Sequence, residues 1–206
     1  MAQDRARHAR RAFRGGAASG RRLLWIILGL GSLAIISAVL LASMLPPRRL
    51  ASEAAAPGSV GTRVGDTAPD FRLVDIEKAS VTRSSLVAGK PGLIFFTATW
   101  CFPCVEGLTQ LMRYQQDIGG ARFNVLVVFV DPGETEADIR AYRERFAFPR
   151  AWHYALDRDN LVRKYSIRYL DTKFVLDRSG VIRYTDFYPA GYSTWVRALA
   201  TVGIPR

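Results

Sequence analysis

Apolar positions along this chain fall into three regimes. The first is an unbroken run, LLWIILGLGSLAIISAVLLASML at residues 23–45, with no charge in it. As a helix it reaches about 34 Å, enough to cross a hydrocarbon core of about 30 Å. A helix of a soluble domain keeps one polar face and this run has none, so it reads as a single membrane span with Trp25 near one interface. The second regime, residues 46–64, is short of large apolar side chains and rich in Ala, Gly, Ser and Pro, which predicts a tether. From residue 65 to 206 short apolar segments alternate with amphipathic ones, without an internal repeat.

Within that third regime the periods predict an order of elements. DFRLVD (70–75) alternates as a short strand, whereas GLIFFTAT (92–99) and RFNVLVVFV (122–130) are continuous apolar runs, as strands covered on both faces require. A helix is predicted over about 103–117. Another is predicted over 134–146, where ETEADIRAYRERF has acids in its first turn and arginines towards its end, matching the helix dipole. AWHYALD (151–157) reads as a strand and NLVRKYSI (160–167) as a helix. TKFVLD (172–177) and GVIRYTDF (180–187) read as strands joined by the turn DRSG, and GYSTWVRALATVG (191–203) closes the chain as a helix. This alternation predicts a three-layer α/β domain with a mixed sheet, over 65–206, long enough for one core.

Charge changes the picture at one end. The net charge is +11, but residues 1–22 hold seven arginines against the single acid Asp4. From Pro57 onward 20 Lys/Arg face 16 Asp/Glu, so the domain is only mildly basic and gives no reason to expect nucleic-acid binding. After the apolar run only Arg48 and Arg49 follow closely. The positive-inside rule therefore keeps the tail, residues 1–22, in the cytoplasm and exports the domain, a single-pass arrangement at the cell membrane. A cleaved signal peptide is the rival reading, since small residues near Ala56 suit cleavage; the length of the run and its distance from that point favour a retained anchor. No Cys directly follows the run, so no lipoprotein acylation site is expected.

The only cysteines, Cys101 and Cys104, stand in TATWCFPCVEG (97–107), in a compartment where disulfides persist. Cys101 ends the strand predicted over 92–99. Pro103 occupies the first turn of the next helix, where its missing N–H costs nothing. The Cys101 sulfur then faces unsatisfied N–H groups and the positive end of the helix dipole, which favour the thiolate, the nucleophile of disulfide exchange. Cys104, one turn further in, is less exposed and placed to resolve a mixed disulfide. Two other uses of a CxxC pair compete. Half of a zinc site needs two more Cys or His ligands, and only His8 and His153 exist, so such a site is excluded unless carboxylates contribute. A structural staple around so short a loop removes little chain entropy. A redox dithiol is the stronger reading, with its own disulfide as the only redox group and no cofactor.

WCFPC, placed after LIFFTAT and before a helix, resembles the thioredoxin superfamily. VGDTAPDFRLVD (64–75), GKPGLIFFTATWCFPC (89–104), YALDRDNLVRKYSIR (154–168) and FVLDRSGVIRY (174–184) resemble the membrane-anchored TlpA/ResA/CcmG group across nearly the whole exported domain. The resemblance implies a thioredoxin-like fold with an added N-terminal hairpin. It implies a reductant of protein disulfides that takes electrons from a membrane thiol carrier and passes them to apocytochrome c or to copper-site proteins. Trp100, Cys101, Pro103 and Cys104 take the group's active-site positions.

Three positions depart from the group's pattern. Where it carries a cis-proline against the cysteine pair, this chain reads RYLDTKFVLD and places Asp171. A cis peptide before a non-proline residue costs about 3 kcal/mol, so a trans loop of different shape is expected. The glutamate that the group often carries six residues after the first cysteine is Gly107 here, with Glu106 one residue earlier and about 100° away around the helix. Phe95 occupies the strand position where thioredoxins carry a buried aspartate. Asp171 is therefore a candidate to sit near the sulfurs and tune their proton chemistry; a solvated loop aspartate is the competing expectation. His153, Phe146, Phe148, Tyr165, Tyr169 and Trp195 read as core or rim residues.

A copper chaperone of Sco type is the alternative from another class, with Cys101 and Cys104 as soft Cu(I) ligands. DPGETEADIRAYRERF (131–146) weakly resembles the matching segment of those proteins, but they use CxxxC and a later histidine, and neither is present. Phe102 adds no charge and no donor beside the thiolate, which leans towards a reductant.

Overall fold

The computed structural model describes residues 58–204. The basic tail, the apolar run and most of the tether lie outside the described residues. Among those described, no helix is long and apolar enough to cross a membrane.

Two three-residue strands, β1 (Arg72–Val74) and β2 (Ser80–Thr82), pair antiparallel. The turn between them is built on Asp75, whose Oδ1 accepts from Glu77 N at 2.9 Å and Ala79 N at 2.8 Å, with Lys78 at φ +69°. A one-turn helix, α1 (Arg83–Leu86), follows directly, started by a capping box between Thr82 and Ser85. This is the N-terminal hairpin that the resemblance implies. Periodicity alone located only its first strand, because three residues are too few to show a period.

The main sheet takes β3 (Gly92–Thr97), β4 (Asn124–Phe129), β5 (His153–Leu156), β6 (Lys173–Leu176) and β7 (Ile182–Asp186) in the order β5-β4-β3-β6-β7. β3, β4 and β5 run parallel, while β6 and β7 are antiparallel to their neighbours. The crossovers use α2 (Phe102–Asp117) and α3 (Glu136–Arg145); α4 (Leu161–Lys164) precedes β6 and α5 (Tyr192–Ala200) closes the domain. The mixed three-layer architecture is as the alternation predicts. α4 is a single turn rather than the eight residues expected, because Asn160 and Ser166 both adopt positive φ and bound it. α3 starts two residues later than its charge pattern suggests because Thr135, not Glu134, caps it.

All six residues of β3 are buried, and alternation divides them between two cores. Leu93 and Phe95 pack with Leu108, Leu111, Tyr114 and Trp195. Ile94 and Phe96 pack on the other face with Leu73, Val81 and Tyr165. Trp195 joins two helices as well as filling space: it is fully buried, and its Nε1 donates to the carbonyl of Gly107 at 2.8 Å. Trp195→Ala is expected to lower the unfolding free energy by about 3–5 kcal/mol in urea titrations. A loss under about 1 kcal/mol would show that the contact does not hold α2 in place.

Candidate active site

The loop that leaves β3 delivers Cys101 to the start of α2 as its N-cap, with Phe102 and Pro103 as the first helical residues. Cys101 and Cys104 are joined as a disulfide, with Cα atoms 5.3 Å apart. Cys101 keeps 6% of its surface in solvent and Cys104 none, the asymmetry expected of an attacking and a resolving sulfur. No side chain caps α2, and no acid stands in its first turn. The free N–H groups at this end therefore face the Cys101 sulfur with no acid of the helix's own first turn to oppose them, which favours its thiolate.

Two carboxylates from the β4–α3 segment hold this loop. Trp100 Nε1 donates to Asp131 Oδ2 at 2.7 Å, and the Thr99 amide donates to the buried carboxylate of Glu134. The Trp100 bond holds the Asp131 carboxyl below its ordinary range. Trp100 stays 62% exposed and Phe102 82% exposed, and with Thr99, Tyr142, Arg145 and Phe146 they line a shallow groove. Neither Asp131 nor Glu134 is among the residues that the sequence pattern points to at this site. The signal available was DPGE at the end of a buried strand, where parallel sheets place their functional loops.

Opposite α2 lies the chain that enters β6. Among the described residues no peptide is cis, and Asp171 stands at φ +65°, a conformation that aspartate tolerates better than most residues. Its amide donates to the Phe96 carbonyl at 2.9 Å, and Phe96 N donates to the Thr172 carbonyl at 2.9 Å. The ladder between β3 and β6 thus continues through the position where the group carries proline. The Asp171 side chain is buried rather than solvated, and it faces α2: a Cβ on Gly107 would lie 3.5 Å from Asp171 Oδ2 and 3.3 Å from Ala190 Cβ.

Two residues on, at the first position of β6, Lys173 is completely buried. Its Nζ donates to Asp186 Oδ1 at 2.5 Å and to the Tyr188 carbonyl at 2.6 Å, and lies 3.0 Å from Asp171 Oδ1. The Tyr184 hydroxyl donates to the other oxygen of Asp186. Register explains the pairing, since Lys173 is directly opposite Asp186 on β7 and Phe95 on β3. Burial pushes the Asp171 carboxyl up to about 6, against the pull of Lys173.

Other residues singled out from sequence fall elsewhere. Glu106 is exposed and accepts from Gln110 Nε2 at 2.7 Å, so it does not join Cys104 and Gly107 on the buried face of α2. His153 Nδ1 lies 2.7 Å from Asp75 Oδ2, tying the outer strand β5 to the hairpin turn. Phe148, Tyr165 and Trp195 are core residues and Phe146 packs at its edge. Tyr169 is exposed and stacks on Phe187, which stacks on Tyr188, with centroids 5.0 and 4.6 Å apart. Among the described residues no group of three His, Cys, Asp or Glu is arranged to hold a metal ion.

Residues 64–185 match the model of the AhpC/TSA family. The chain is 30% identical over 128 residues to the thioredoxin-like protein YneN of Bacillus subtilis, covering 60% of this chain and 71% of that one. It is 31% identical over 123 residues to the thiol-disulfide oxidoreductase ResA of Geobacillus kaustophilus, covering 58% and 67%. A solved thiol:disulfide interchange protein of the thioredoxin family from Chlorobium tepidum superposes with a TM-score of 0.58 at 21% identity, over 72% of this chain and 97% of that one, which establishes the likeness of fold.

The raised carboxyl of Asp171 has a consequence for stability. A carboxyl whose pKa is higher folded than unfolded stabilises the fold while it is protonated, so its contribution is full below the ordinary value of 3.8 and is lost as pH rises through about 6. Asp171→Asn cannot ionise. Relative to it, the unaltered protein is expected to lose on the order of 1–3 kcal/mol of unfolding free energy between pH 4 and 6. Parallel pH profiles of the two proteins in urea titrations would contradict this.

Proposed function

The chain belongs to the AhpC/TSA family and is a thiol–disulfide oxidoreductase of thioredoxin-like fold, and from that premise we propose that Cys101 and Cys104 form the dithiol of a reductant of protein disulfides. The observation that carries this reading is the placement of Cys101 as N-cap of an acid-free helix start, with 6% of its surface in solvent, and Cys104 fully buried behind it.

The Cys101 thiolate attacks one sulfur of a target cystine, and the other target sulfur leaves as a thiolate that takes a proton. Cys104 then loses its proton and attacks Cys101, expelling the first target sulfur in turn. Two electrons pass to the target, and the chain is left with the Cys101–Cys104 disulfide. Trp100 and Pro103 support the step by fixing the loop and the first turn of α2. The direction is supported by Phe102, which is exposed beside Cys101 and offers the thiolate no charge and no donor.

The apolar run at residues 23–45 anchors the chain in the cell membrane, with the arginine-rich tail in the cytoplasm and the redox domain outside, a reading supported by the asymmetry of arginines around the run. A membrane thiol carrier returns the pair to the dithiol. Apocytochrome c or copper-site proteins are the targets that the resemblance to the TlpA/ResA/CcmG group suggests. The Sco-type alternative gains no support: the relatives are named for disulfide chemistry, and the loop facing the sulfurs offers Asp171, already paired with Lys173.

In the reduced full-length chain, iodoacetamide at pH 7 is expected to alkylate Cys101 at least about tenfold faster than Cys104. Cys104→Ser is expected to hold a mixed disulfide with glutathione after exposure to glutathione disulfide, while Cys101→Ser holds none, as read by mass spectrometry. Equal alkylation rates, or an adduct on Cys104 instead, would overturn the assignment.

A further inference from the structure

We propose that Asp171 takes up the proton that Cys104 releases when it resolves the mixed disulfide, so that the proton acceptor of the cycle comes from the chain entering β6 rather than from α2. This deepens the reading of Cys101 and Cys104 given above and rests on it.

The placement of the carboxylate is the first ground. Asp171 is 2% exposed; the Ala190 amide and the Lys173 ammonium, 3.0 Å from Oδ1, approach its carboxyl, but neither oxygen receives a well-directed hydrogen bond. Buried carboxylates are normally hydrogen-bonded, and leaving one short of partners is costly. Its Oδ2 points at the gap left by Gly107, which lies three residues after Cys104 on the same buried face of α2. Residues so spaced on a helix have Cβ atoms about 5–6 Å apart. The carboxylate thus meets α2 one turn beyond Cys104, on the face that also carries the resolving cysteine. A Cβ at position 107 would press on Ala190 Cβ at 3.3 Å and come into contact with this oxygen at 3.5 Å.

The charge balance around it is the second ground. From β6 Lys173 faces Asp171. From β7 Asp186 adds a second carboxylate, with the Tyr184 hydroxyl bonded to it. From α3 the Tyr142 hydroxyl, and from the segment before it Glu134, lie close enough for mutual charge effects. α2 contributes Cys104 and no charged group on that face. Asp171, Lys173 and Asp186 together therefore carry two acids for one buried base. One proton neutralises this group, and Asp171, with the fewest hydrogen bonds, is the member free to take it. Its carboxyl, already raised by burial, is suited to exchanging a proton near neutral pH.

The Cys104 S–H proton passes to the Asp171 carboxylate, and the sulfur's electron pair forms the bond to Cys101. The Cys101–target bond breaks, and the target sulfur leaves as a thiolate. Asp171 then gives its proton to that thiolate or to solvent.

The test is stopped-flow reaction of the reduced full-length chain, in mild detergent, with glutathione disulfide across pH 5 to 9. The first phase reports attack by Cys101 and the second reports release of the bound glutathione by Cys104. Asp171→Asn is expected to leave the first phase within about twofold, to slow the second about 100-fold at pH 7, and to remove its inflection near pH 6. Asp186→Asn, which keeps Asp171 but removes a neighbouring negative charge, is expected to move that inflection to lower pH. A second phase unaltered in rate and pH dependence in Asp171→Asn overturns the proposal while leaving the dithiol assignment intact. If that variant does not fold, an unmoved inflection in Asp186→Asn overturns it instead. Absence of the first phase in the unaltered chain overturns the dithiol assignment, and this proposal with it.

Discussion

A lysine with no surface in solvent is the constraint around which this domain is arranged. An ammonium buried alone would cost several kcal/mol, so Lys173 is tolerated only because Asp186, Asp171 and the Tyr188 carbonyl surround it. Those partners come from three places: β7, the chain before β6, and the loop leading to α5. Holding the ammonium therefore fixes the loop that faces the cysteines. Its attachment also runs through Trp195, whose ring lies 5.9 Å from Lys173 Nζ and whose indole N–H holds the Gly107 carbonyl of α2. The floor beneath the disulfide and the helix that carries it share one set of supports.

That arrangement explains three departures from the related pattern as one change. Phe95 leaves no acid on β3, and Gly107 leaves none on the buried face of α2. Asp171 supplies one from the third side of the same space, and Gly107 leaves room for it. Replacing proline also restores a backbone donor, which bonds to Phe96 and draws the segment into the sheet. The thiolate-favouring element is separate: it is the bare start of α2, with Trp100 fixed by Asp131 and Thr99 by Glu134. Attack and resolution are thus served by different parts of the fold, the helix end for Cys101 and the buried acid for Cys104.

Much of this was legible in the sequence, and the boundary has physical causes. The strands at 92–97 and 124–129 announced themselves because both faces of a central strand must be apolar. The dithiol was legible because proline, cysteine spacing and a strand-to-helix junction are local. Lys173 was not, because a lysine in TKFVLD looks like the solvent-facing member of an alternating strand; its burial depends on Asp186, thirteen residues later, and on a loop carbonyl. The same holds for Asp131 and Glu134, whose roles arise only when the chain after β4 returns beside β3. The position of Asp171, where the related pattern has proline, makes it a candidate, but its burial and its approach to Gly107 are tertiary facts.

The central claim is that Asp171 is a buried acid electrically coupled to the cysteine pair. The most direct measurement is a carbon-13 NMR titration of the aspartate carboxyls in the full-length chain, assigned through Asp171→Asn and recorded with the pair oxidised and reduced. The expected result is an Asp171 inflection near pH 6 in the oxidised protein that shifts on reduction. An inflection at the ordinary carboxylate value, indifferent to the state of the cysteines, would contradict it.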